Sequence, residues 1–247
     1  TRQAIRFLET LQEWNAAPDR KAVDSQYWPL IVKAMLIHGA GWGDLENQIS
    51  QLFEEGDAGQ KRRHRLKRLC TQFLGHGPAD FARGTVCTDQ RVIALGFGQL
   101  AAEGAHLYRF PLPQALNAVK VKKKLTLTLT WFSPIDPGHR DYAMADLWFD
   151  PPKKLLAKRL DITHTAVRRG TVQHEILEGA QAVPITEDDV LDIQVNCMPR
   201  AGGGTLPPID YALLVSLEVA EPLSASIYNQ VKTKLDQIAA RVPIRPQ

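Results

Sequence analysis

A chain of 247 residues that is 44% apolar and 23% charged has the material for one large or two smaller globular domains with a substantial core. Thirty basic against 27 acidic side chains leave a net charge of only +3, so the molecule as a whole is not a polyanion binder, and no apolar run approaches the ~20 residues of a membrane helix. Three cysteines, Cys70, Cys87 and Cys197, are odd in number and far apart, which argues against a disulfide framework or a zinc site and for a reducing, cytoplasmic setting.

The chain opens inside an amphipathic pattern. Ala4, Ile5, Leu8, Leu11 and Trp14 recur at helical spacing, with Arg2, Glu9 and Glu13 largely off that face. No initiator Met, signal peptide or capping Ser, Thr or Asp precedes it, so residue 1 reads as a fragment boundary. Residues 15–19 break the pattern. Trp28 and Pro29 start a strongly apolar helix through Leu30, Ile31, Ala34, Met35, Ile37 and His38, with proline suited to its first turn. Gly39, Gly41 and Gly43 end it. Asp44 can cap a third helix carrying Leu45, Ile49, Leu52 and Phe53 and stopping at Gly56. Residues 60–74 form a fourth, with Leu66, Leu69, Cys70, Phe73 and Leu74 as its buried edge. Residues 75–78 (GHGP) close the helical region.

From about residue 85 the period shifts from 3.6 to 2. Leu125, Leu127, Leu129 and Trp131 alternate with Thr126, Thr128 and Thr130; Leu191, Ile193, Val195 and Cys197 alternate with Asp192, Gln194 and Asn196. Leu213, Val215, Leu217 and Val219 alternate with Leu214, Ser216 and Glu218. Weaker strands are expected at 91–96, 105–111, 142–149, 171–178 and 181–185. Many half-buried strands without intervening helices point to an antiparallel β-sandwich, and connections longer than tight hairpins favour a Greek-key or jelly-roll order. Leu223, Ile227, Val231, Leu235 and Ile238 then mark a last helix over 223–240, expected to pack back on the strands rather than await a partner. The expected class is α+β, with helices in 1–84, a β-sandwich in 85–222, and a C-terminal helix and tail in 223–247.

Little in the chain has the spacing of a reactive site. Lys61, Arg62, Arg63, His64, Arg65, Lys67 and Arg68 could hold phosphates, with Lys120, Lys122, Lys123 and Lys124 as a second cluster. Their helix keeps an apolar stripe and lacks interleaved aromatics, so a solvated helix face is the favoured reading and nucleic-acid contact the lesser one. His38, on an apolar helix face, reads as a hydrogen-bonded core residue. His76 sits between two glycines at a turn, and His164 and His174 lie near Arg168 and Arg169. None has the helical His or carboxylate partner that a zinc motif requires. Glu187, Asp188 and Asp189 lack the alternation of a calcium loop and read as a surface turn. Gly202, Gly203 and Gly204 lack a following Lys-Ser/Thr and read as a hairpin tip. No nucleophile motif such as GxSxG or SxxK occurs. No catalytic, cofactor-binding or metal-ligating residue is assigned, and no cofactor is expected.

Residues 30–42 (LIVKAMLIHGAGW), followed by residues 74–80 (LGHGPAD), resemble the closing helices of the subtilisin-like serine proteases. In that family a helix starting just after the nucleophilic serine is followed by a pattern of the type LLvHsA.W and then lGyGvPd; His76 stands where many members have tyrosine. The opening residues 1–4 (TRQA) are similar to the segment after the family's Gly-Thr-Ser-x-Ala turn. Further pieces resemble the large bacterial cytoplasmic subtilases that carry a C-terminal β-sandwich: residues 106–113 (HLYRFPLP), 127–134 (LTLTWFSP), 140–142 (RDY), 167–175 (VRRGTVQHE) and 211–219 (YALLVSLEV). The resemblance implies a serine endopeptidase whose serine, histidine and aspartate all lie upstream of Thr1. It implies as partners the N-terminal catalytic part of the same protease and a protein or peptide substrate, and a chain that is inactive by itself. The alternatives are a non-catalytic protein- or carbohydrate-binding sandwich, or a nucleic-acid binder using residues 61–68.

Overall fold

The computed structural model describes residues 2–18, 22–52, 60–138, 142–152, 155, 158–159, 170–200 and 206–241. The described helices are α1 (Arg2–Ala16), α2 (Trp28–His38), α3 (Asp44–Leu52), α4 (Gln60–Leu74), α5 (Phe81–Thr85) and α6 (Ile227–Arg241). The strands are β1 (Arg91–Leu100), β2 (Ala105–Pro111), β3 (Lys123–Trp131), β4 (Ala145–Phe149), β5 (Lys158–Arg159), β6 (Val172–Gly179), β7 (Val190–Pro199) and β8 (Ile209–Val219). They form two antiparallel sheets, one ordered β1-β8-β3-β6-β5 and the other β2-β7-β4. The fold is therefore mixed helix and sheet with a C-terminal helix. No helix among the described residues is long and apolar enough to cross a membrane.

Two apolar clusters organise the chain. The larger gathers side chains from both sheets, among them Leu127, Leu129, Trp131, Phe149, Ile193, Val195, Tyr211 and Leu217. Ile227 and Val231 of α6 belong to it, so the last helix packs back on the strands as expected. The smaller joins Phe7 and Leu11 of α1 to Leu30, Ile31, Ala34 and Met35 of α2 and to Ala212 and Leu214 on the second face of β8. Burial of this size, at about 25 cal/mol per Å² of apolar surface, is what docks the helical layer on the sheet.

That docking corrects the half-buried reading of the strands. Thr126, Thr128 and Thr130 are buried because α2 covers their face. Thr130 Oγ1 donates to the carbonyl of Leu30 at 2.9 Å, and Lys33 Nζ donates to Trp131 O, Thr171 O and Thr171 Oγ1 at 3.3, 3.0 and 2.6 Å. Thr130→Val keeps the shape and removes the donor; it is expected to lower stability by about 1 kcal/mol, read from the urea midpoint.

Other boundaries shift for local reasons. The inward face of α1 runs through Phe7 and Leu11, while Ile5, Leu8 and Trp14 are 50%, 36% and 42% exposed. Phe7 meets the ring of Phe81 at 4.9 Å, and the Arg6 guanidinium lies 3.9 Å from the centre of that ring. In α4 the inward step is Leu66, Cys70, Leu74, which leaves Phe73 75% exposed. Residues 181–185 are no strand: Pro184 offers no N–H, and only a parallel bridge between Asn117 and Val183 forms. Strand β4 starts late because Tyr142 has φ +50° and belongs to a turn. Helix α6 starts late because the Ser226 hydroxyl accepts from Asn229 N at 3.3 Å. Helix α5, not expected from the sequence, is capped by Asp80 Oδ1 accepting from Ala82 N at 2.9 Å.

Candidate functional site

The densest polar grouping lies between α2 and the five-stranded sheet. Pro29 fixes the first turn of α2, and this 11-residue helix ends on His38, buried against β3 and β8. His38 Nδ1 shares a hydrogen bond of 2.9 Å with Thr128 Oγ1, and its Nε2 shares one of 2.8 Å with Ser216 Oγ. Thr128 Oγ1 also meets His174 Nδ1 at 2.8 Å. Antiparallel register places Thr128 opposite His174 on β6 and Thr126 opposite Ser216 on β8. The His76 ring stands edge-on to His174 with centroids 5.7 Å apart. His38 is thus the hydrogen-bonded core residue expected, and His174 lies on β6, within the strand expected at 171–178.

Burial disfavours charge on both rings. It pushes His38 down to about 3, with the Lys124 and Arg91 cations adding to the effect. His174 is held well below its ordinary value by burial first, then by His38, His76 and Lys124.

The order Ser216–His38–Thr128 has the connectivity of an acyl-transfer triad, with a hydroxyl where the carboxylate belongs. A threonine cannot stabilise an imidazolium, and an imidazole with a pKa near 3 is a weak base at neutral pH. The gap beside Ser216, bounded by Ala40, Arg83, Arg91, Lys124 and Glu218, holds about 10 Å³, room for one water and no acyl group. The network ties a helix to a sheet.

A second feature joins the end of α2 to the turn before α5. Asp80 N donates to Gly39 O at 3.0 Å, Gly41 N to Pro78 O at 3.3 Å, and Trp42 Nε1 to Gly75 O at 3.0 Å. Ala40 and Ala79 form an antiparallel bridge. The approach is backbone on backbone. A Cβ at Gly39 would overlap the carbonyl oxygen of Asp80, and one at Gly77, whose φ is +90°, would overlap that of Gly41. Beside this junction opens a cavity of about 330 Å³ lined by Trp42, Asp44, Gln48, Pro78, Asp80 and Arg83.

The remaining candidates stay apart. His164 and residues 202–204 lie outside the described residues, as do the side chains at 61–64 and 67; Arg65 and Arg68 are exposed. The second basic cluster is not one surface. Lys123 is buried, its Nζ donating to the carbonyls of Val119, Val121 and Gln181 at 3.2, 3.3 and 2.7 Å, while Lys122 pairs with Glu178 at 3.1 Å. Asp189 closes the turn at 187–189 by accepting from Thr186 N at 2.8 Å. Among the described residues no three His, Cys, Asp or Glu side chains gather as metal ligands. No protein-family model and no curated protein matches this chain.

Proposed function

We propose that the chain is the C-terminal portion of a subtilisin-like serine endopeptidase of bacterial cytoplasmic type. In this reading the triad lies upstream of residue 1, and residues 1–84 brace the catalytic core from behind. The two sheets form a jelly-roll-like sandwich that contacts substrates or partners. One observation carries the proposal: the apolar arc of α1 is wider than the part its neighbours cover. Phe7 and Leu11 are buried against α2, while Ile5 and Leu8 on the flank of the same arc are exposed. An apolar flank of this kind calls for a further layer, which in this reading the rest of the catalytic domain supplies. Further support comes from residues 30–42 and 74–80, the two halves of the resemblance, which meet through paired backbone bonds.

Phe132, Ile135 and Tyr142, exposed on the connection between β3 and β4, favour a second reading, a non-catalytic binding module. A fluorophosphonate probe separates the two. The 247-residue chain is expected to remain unlabelled, and the parent protein is expected to take up one probe per molecule on a serine upstream of Thr1. Stoichiometric labelling of the 247-residue chain, or a parent that does not label, overturns the protease reading.

A further inference from the structure

We infer that His38 and His174, as neutral imidazoles, form a proton-operated latch that holds α1 and α2 on the five-stranded sheet and releases this helical layer as the solution acidifies, leaving the core between the sheets intact. The inference does not depend on the protease reading.

Three observations carry it. First, the cluster that docks the helices and the cluster between the sheets are separate, so the first can open while the second stays closed. Second, the polar contacts at the end of α2 run in one chain, Ser216–His38–Thr128–His174, with bonds of 2.8 to 2.9 Å. The Thr128 hydroxyl has a single hydrogen and sits between two Nδ1 atoms. One ring donates to it and the other accepts from it. When both rings are protonated, both Nδ1 atoms donate, and the Thr128 hydrogen is left without an acceptor in a buried site.

Third, the charged groups around the rings oppose a further positive charge. Lys124 comes from β3, Arg91 from β1, Arg83 from α5, and His76 from the turn after α4. Glu218 on β8 is the carboxylate bounding the same gap as His38, and it is bonded to Arg91 at 2.8 Å. Glu175, next to His174 in sequence, alternates to the opposite face of β6.

The sign follows from linkage. A histidine whose pKa is lower in the docked state than in the released state stabilises docking above its ordinary pKa, about 6.5, and that contribution is lost as pH falls below it. Two such rings, exposed on release, shift the release equilibrium about a thousandfold between pH 7.5 and pH 5.0.

Amide hydrogen exchange on the 247-residue chain at these two pH values, corrected for intrinsic rates, tests the latch. Protection of α1 and α2 is expected to fall by two to three orders of magnitude (about a thousandfold at most), while the amides of β7 and the central part of β3 keep theirs. The double variant H38Q/H174Q keeps side chains able to hydrogen-bond but removes the titration, and its α2 protection is expected to be equal at the two pH values. Protection of α2 that does not change with pH overturns the latch. So does an equal loss across both clusters, or a pH dependence that survives in the double variant.

Discussion

Replacing Gln173 with leucine is expected to destabilise the chain by about 4 kcal/mol, an effect out of proportion to a change of similar volume. Gln173 is buried on β6, and its amide is used twice on one residue of the opposite sheet. Nε2 donates to Phe149 O at 2.9 Å, and Oε1 accepts from Phe149 N at 2.9 Å. Among the described residues β4 pairs with β7 alone, so its far edge ends at this point on a side-chain amide that takes the place of a neighbouring strand. Leucine fills the space and satisfies neither backbone group. Each buried group left unpaired costs about 1–3 kcal/mol, and the gain from an added apolar side chain is smaller than two such penalties. Urea unfolding measures the loss, and amide exchange at Phe149 localises it. A drop below about 1 kcal/mol would mean that water or another side chain replaces the amide, and the bridge would have no structural weight.

The same case shows which information a sequence carries. Period-2 alternation in β3, β7 and β8 is plain, because one face of each strand belongs to the larger apolar cluster. Alternation reports a difference between two faces and not the exposure of either. Thr126, Thr128 and Thr130 therefore read as a solvated face although α2 lies on them. The clue was in α2, which is apolar nearly all round and needs cover on more than one side. In α1 the whole apolar arc is visible as residue types. Which part of it turns inward is decided by Phe81 and α2, partners that spacing within the helix cannot name.

The site was the least legible part. His38 and Ser216 are 178 positions apart, and Thr128 and His174 are 46 apart. Local spacing, which reveals helical metal motifs, has no term for such pairs. Ser216 within the apolar run 211–217 of β8 and His38 on an apolar helix are the available signs, each compatible with many partners. Helix α5 is illegible for another reason: five residues carry too little periodicity, and only the cap at Asp80 marks it.

Gly39→Ala is expected to cost about 3 kcal/mol, somewhat less than the loss of Gln173, and Gly41→Ala, two residues away, almost nothing. Gly39 has φ −78°, a conformation open to any residue, so the effect is steric and not a matter of backbone freedom. Its added Cβ would overlap the carbonyl oxygen of Asp80, and Gly84 N lies 3.4 Å away. Both neighbours are backbone, and neither can turn aside as a side chain would. The clash is relieved only if the end of α2 or the turn at 78–80 moves. Movement there breaks the bond from Asp80 N to Gly39 O and shifts the adjacent His38, whose two ring bonds tolerate little displacement. At Gly41 the nearest atom is an Arg83 guanidinium nitrogen at 3.4 Å, the end of a long and mobile side chain. Alanine restricts the unfolded chain at both positions, a gain of up to about 1 kcal/mol that the Gly39 variant must more than lose. A cost of about 3 kcal/mol corresponds to a fall of roughly 6–12 °C in Tm at this chain length, against about 2 °C or less for Gly41→Ala. Equal midpoints for the two variants would mean that the junction of residues 39–42 with 75–80 yields without loss. The meeting of those segments would then cease to support the protease reading, because a brace that moves freely cannot hold the helix it is meant to fix.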